Sequence, residues 1–135
     1  MSEFRELLVA ICRRPAMYVG RNSLVDVSIY LSGYFDGLSA AGSSVSPMDG
    51  FMRWTEMRFG IFHSAWHWTR ILLHEFGSDQ ACFEVLPTLY DEFVLDRERL
   101  GLDGIERETK RRLQERHGQD WWEPESTTTK PNYDR

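Results

Sequence analysis

The sequence predicts a single all-α domain: a compact bundle of five to six helices over residues 1–117, followed by a flexible C-terminal tail over 118–135. Three observations predict it. Apolar residues recur at i, i+3, i+4 and i+7 in one segment after another. Residues that start helices (Ser, Asp) precede these segments, and residues that stop them (Gly, Pro) follow. No segment alternates apolar and polar residues over the length of a strand.

The first helix rests on Phe4, Leu7, Leu8 and Ile11. Ser2 is its expected cap, and Pro15 stops it near Arg13, because a residue before proline is pushed out of the helical region. Residues 14–22 read as a connector, with Met17 and Tyr18 expected to plug the seam between the first two helices. Ser23 and Asp26 then form a start signal. The second helix carries Leu24, Val27, Leu31, Tyr34, Phe35 and Leu38 on one side. Gly33 and Gly37 lie one turn apart inside it, each costing about 0.5–1 kcal/mol relative to alanine. Such a pair predicts close approach by another element.

Residues 42–46 are a loop by composition. Ser46, Pro47 and Asp49 open a third helix that Gly60 can end. The fourth is expected from residue 64 to Phe76, with Ala65, Trp68, Leu72 and Phe76 on its apolar side. The fifth follows Gly77 and Ser78, with Cys82, Leu86, Leu89 and Phe93 on its core face. Pro87 lies within that pattern and predicts a kink or a split. Residues 100–104 hold two glycines and predict a break. The last, mostly charged helix runs to about His117; Ile105, Leu113 and Leu102 are its anchors, and loose packing is expected. Glu106–Lys110 and Glu108–Arg112 are its i, i+4 ion pairs in the favourable order. The tail from Gly118 includes Trp121 and Trp122.

Composition excludes several functions. The chain has 135 residues, enough for one domain with a substantial core. Its net charge of −5 opposes nucleic-acid binding, which needs a basic face for phosphates. No segment approaches the roughly 20 apolar residues of a membrane span. Residues 1–14 carry Glu3 and Glu6 and do not read as a leader. Cys12 and Cys82 both fall on apolar stripes, where cysteine is ordinarily a reduced core thiol. These features predict a cytoplasmic protein, and no cofactor is expected.

Three constellations are candidates for function. His63, His67 and His74 fall at i, i+4, i+11 and share one side if a single helix holds all three, a spacing that suits metal ligation. Arg70 interrupts that side and opposes a cation. An enzyme or metal protein built on it is one alternative. Glu84, Asp91 and Glu98 repeat every seven residues opposite the core stripe of the fifth helix, forming an acidic face suited to a basic protein partner. The third is the stretch Arg14-Pro15-Ala16-Met17-Tyr18-Val19-Gly20. It is similar to a segment of gyrase-type ATPases, but Ser28, Ser32 and Asp36 stand where their catalytic glutamate and metal-binding asparagine would be sought, and no glycine-rich lid follows.

A second resemblance covers roughly residues 4–95. Arg14, Pro15, Met17, Tyr18 and Gly20, then Gly33-Tyr34, Phe51, Trp54 and Trp66, and the stretch from Phe83 to Phe93 resemble a group of small bacterial proteins identified as immunity proteins of polymorphic toxin systems. The chain departs from them at Pro87 and beyond residue 100. The resemblance implies a binding protein that neutralises a cognate toxin by occlusion, with no catalytic residues; with the acidic face of Glu84, Asp91 and Glu98, the expected partner is a basic toxin domain. Within the motif, Arg14, Pro15, Met17, Tyr18, Gly20 and Trp66 are expected to act structurally. Aromatic residues make up 13% of the chain, and a homo-oligomer that buries some of them, such as Trp54, Trp66 and Trp121, at an interface is the remaining alternative.

Overall fold

The computed structural model describes residues 2–43, 46–62 and 65–117. They form α1 (Glu3–Arg13), α2 (Pro15–Val19), α3 (Leu24–Ala40), α4 (Phe51–Phe59), α5 (Trp68–Phe76) and α6 (Asp79–His117). Residues 118–135, including Trp121 and Trp122, lie outside the described residues.

The long helix α6 is the spine of the bundle, and α1, α4, α5 and α3 all pack against it. Its first arm, residues 79–100, buries Cys82, Phe83, Leu86, Leu89, Tyr90 and Phe93. From α1 come Phe4, Leu8 and Ile11, and from α3 Leu24, Val27 and Leu31. Phe51 and Trp54 of α4 and Trp68 of α5 complete an aromatic centre. Phe51 is stacked on Trp54 and meets both Trp68 and Phe93 edge to face at 5.2 Å. Each such side chain contributes about 1.5–3 kcal/mol on burial. The high aromatic content therefore serves folding first.

The caps follow the local sequence. Ser2 accepts from Arg5 N and Ser23 from Asp26 N. Ser78 accepts from Ala81 N at the start of α6. Gly60 and Gly77 close α4 and α5 in the left-handed conformation. The Asp79 carboxylate accepts from Leu24 N at 2.8 Å, so the first residue of α6 also satisfies a free amide at the start of α3.

Five expectations need correction. The connector 14–22 contains a helix of its own, α2, with Pro15 in its first turn, where a missing N–H costs nothing. Residues 47–50 form a turn, and α4 begins only at Phe51. Similarly, α5 begins at Trp68, so Ala65 lies outside the helix. Pro87 neither ends nor splits α6; the one non-helical backbone inside that helix is Gly101, within the predicted break. Core contacts on both sides of Pro87, from Phe83, Leu86, Leu89 and Tyr90, hold the rod across the missing hydrogen bond.

The last correction concerns the second arm of α6, residues 102–117. It is firmly docked on α4. Ile105 and Leu113 are buried, whereas Leu102 is exposed. Arg112 donates to the Met57 carbonyl at 2.8 Å and Arg116 to the Gly60 carbonyl at 2.6 Å, satisfying the free end of α4. Glu108 pairs with Arg112 as the spacing predicts. Glu106 reaches across to Arg53 at 3.2 Å.

Candidate interaction surface

The structure describes two of the three histidines singled out by spacing. His63 lies outside the described residues. His67 is the N-cap of α5, before the helix begins; its Nδ1 accepts from Thr69 N at 3.3 Å and also contacts Thr69 Oγ1 at 3.1 Å. Burial lowers its pKa below the ordinary 6.5, so the ring that caps is neutral. His74 lies in the last turn of α5, its ring 5.4 Å from that of Trp66. Arg70 lies over the other contact of this cluster, with its guanidinium 4.6 Å from the Trp66 ring centre. Trp66 thus anchors a surface stack in the loop before α5. No group of three or more His, Cys, Asp or Glu among the described residues could hold a metal ion. Cys12 and Cys82 are free thiols, raised by burial to pKa values of about 12 and about 11.

Three polar residues around the cleft between α3, α4 and α5 have local partners. Ser28 donates to Val25 O of its own helix, and Ser46 accepts from Met48 N. Arg53 is divided between the buried Glu56 and Glu106.

The three carboxylates of the heptad spacing lie on one helix. Glu84, Asp91 and Glu98 all lie on the first arm of α6, and a straight helix puts Glu84 and Glu98 about 21 Å apart. Their surroundings differ. Glu84 accepts from Gln80 and is exposed. Asp91 is held by a bidentate pair of bonds from Arg5 of α1, both 2.7 Å, and the hydrogen bond from Arg5 keeps its carboxyl below the usual range. Glu98 is exposed. Between Asp91 and Glu98 stands Leu95, 66% exposed, beside a groove whose walls include Arg5, Tyr90, Val94 and Arg97. Asp91, Leu95 and Glu98 fall at i, i+4, i+7 and share one side of the helix. The heptad rule identified the carboxylates but not this leucine, whose signal was an apolar residue off the core stripe.

The motif of residues 14–20 lies on the surface. Only Pro15 is buried. Gly20 closes α2 with φ 89°, donating to Ala16 O at 2.9 Å. Met17 is 71% exposed and touches the Arg14 guanidinium through sulfur at 3.8 Å. Tyr18 is also exposed, its ring edge-to-face with Tyr30 of α3 at 5.9 Å. The seam between α1 and α3 is not plugged by these residues: Phe4 fills it, in ring contact with Tyr34 and Phe35. Met17 and Tyr18 of α2 and Val25, Ile29 and Tyr30 of α3 are exposed, and Tyr18 meets Tyr30 between the two helices.

These features define a helical domain with rigid surfaces, one charged and one apolar. No family model matches the chain, and no curated protein or solved structure matches it. No helix among the described residues is long and apolar enough to cross a membrane.

Proposed function

We propose that the chain is a cytoplasmic binding protein: an immunity protein that neutralises a cognate bacterial toxin by occluding it. The observation that carries the reading is Leu95, exposed between Asp91 and Glu98 on the outer side of α6. An apolar centre with a charged surround is the composition of a protein interface. The surface is built on the spine of the bundle, so little order is lost on binding. Glu84 and Glu98 favour a basic partner and accelerate its approach. The resemblance of residues 4–95 to immunity proteins supplies the class of partner.

The test is co-expression with the product of a toxin-like reading frame next to this gene. Co-purification, with protection of the host cell, is expected. Loss of both on Leu95→Arg in a folded protein would assign them to α6. Absence of a complex at micromolar concentration, together with no protection, would overturn the reading.

A further inference from the structure

Gly101 turns α6 back on itself. Along α4 from residue 53 to 60, the first-arm partners run backwards: Trp54 donates to Asp96 at 2.8 Å, and Arg58 pairs with Glu92 at 3.0 Å. The second-arm partners run forwards: Arg53 pairs with Glu106, Met57 O accepts from Arg112, and Gly60 O accepts from Arg116. The two arms are therefore antiparallel, with α4 lying along both. Gly101, at φ 75° and ψ 167°, is the one non-helical residue inside α6. Gly104 allows the turn to be this sharp, since a Cβ there would stand 2.9 Å from Leu100 Cβ. The pair of arms is a helical hairpin with a single residue as its hinge.

We infer that α6 straightens at Gly101 and that two copies of the chain exchange their second arms, each arm seating on the α4 of the other copy. A hinge this short favours such exchange. Moving residue 101 into the helical region converts the hairpin into one helix of 39 residues, about 58 Å long. The opened arm tolerates water: Ile105, Thr109 and Leu113 are its buried side chains, and most of the rest are charged. The seat it leaves on α4 selects the occupant. Arg53 and the carbonyls of Met57 and Gly60 are spaced for Glu106, Arg112 and Arg116. Gly50 leaves room for Leu102, whose Cδ2 would stand 2.6 Å from a Cβ at position 50. A second copy brings the same arm with every one of these groups, so the exchange remakes each contact and requires no new complementary surface. The difference lies at the hinge, where residue 101 becomes helical and the backbone ladder runs through unbroken. The exchange is reciprocal, so both seats are filled and the assembly closes at two. The inference rests on the hinge and the α4 seat, and the proposed toxin-facing side rests on Leu95, so the two readings fail or hold separately.

Sedimentation velocity on the full chain provides the test. Alanine disfavours the Gly101 conformation and favours helix. Gly101→Ala should therefore be dimeric at micromolar concentration, with a dissociation constant roughly tenfold or more below that of the unaltered chain. The unaltered chain, refolded at high micromolar concentration, should yield the same dimer. A Gly/Ser insertion after Gly101 lengthens the hinge and should keep the refolded chain monomeric. Crosslinking reads the exchange itself, because Arg58 of α4 and Glu115 of the second arm line one groove. Arg58→Cys and Glu115→Cys chains refolded together as dimers should be joined by a short bis-maleimide, and neither kind should be joined to its own. A refolded chain that stays monomeric, with Gly101→Ala monomeric or unfolded as well, overturns the inference. So does a dimer that Gly101→Ala does not tighten, or one whose two kinds of cysteine chain are not joined.

Discussion

The indole Nε1 of Trp54 donates to Asp96 Oδ2 at 2.8 Å, tying the centre of α4 to the spine. Trp54 is fully buried, so this bond crosses from the aromatic core to a carboxylate at its edge. Trp54→Phe removes the donor while keeping a ring. The expected cost is about 1.5–3 kcal/mol, the range for a hydrogen bond to a charged group. Denaturant unfolding should show it. In the Asp96→Ala background the same substitution should cost less, because the two residues share the bond.

Asp91 and Glu98 separate stability from binding. Asp91→Arg breaks the bidentate pair with Arg5 and sets two guanidinium groups together. It should lower unfolding stability by about 1 kcal/mol, a partly exposed pair being worth little more. Glu98→Arg should leave the melting temperature unchanged and slow association with a basic partner at low salt. Stopped-flow association rates, set beside thermal melts of both variants, distinguish the two roles.

The N-cap of α5 should be pH-sensitive. His67 caps as a neutral ring, and its pKa is lowered in the folded protein. A base with a depressed folded pKa contributes stability that is present above its unfolded value and lost as pH falls through the folded one. Stability should therefore decline below pH 6.5 as the ring protonates and loses its acceptor. His67→Asn keeps the acceptor and should flatten that part of the profile. His67→Ala should cost about 1 kcal/mol at neutral pH. Thermal melts across pH for the three proteins check this.

Two glycines should respond with opposite signs. Gly101 has φ 75° and ψ 167°, a conformation almost restricted to glycine. Gly101→Ala should destabilise the domain by about 1–3 kcal/mol and loosen the second arm of α6 from α4. Gly33 is helical with open space around it. Gly33→Ala should stabilise the dilute chain by about 0.5–1 kcal/mol. Chemical unfolding of both variants tests the pair.

Much of the helical architecture was legible because core contacts obey the 3.6-residue period. Phe4, Leu8 and Ile11, or Cys82, Leu86, Leu89 and Phe93, announce a buried side whatever they pack against. What the pattern could not show was decided by contacts distant in sequence. Pro87 predicts a kink or a split from its local chemistry, and with the core packed on both sides of it α6 is not split there. The second arm of α6 has few apolar anchors, yet Arg112 and Arg116 fasten it to carbonyls of α4 more than fifty positions away. The surface divided in the same way. The period revealed Glu84, Asp91 and Glu98, but Arg5, which occupies Asp91, comes from another helix. Val25, Ile29 and Leu95 were readable as apolar residues on the wrong side of their helices, the one local trace an exposed apolar surface leaves.

The bond from Leu24 N to Asp79 spans 55 positions, and its acceptor belongs to the last helix of the described residues. All the other principal helices find their apolar partners on that helix too. The contacts of α1 with α2, α2 with α3, and α4 with α5 join the earlier helices only in neighbouring sets, and α6 is what brings those sets together. A chain truncated before residue 79 would leave the apolar sides of α1, α3, α4 and α5 uncovered, and such exposed apolar surface is prone to aggregation.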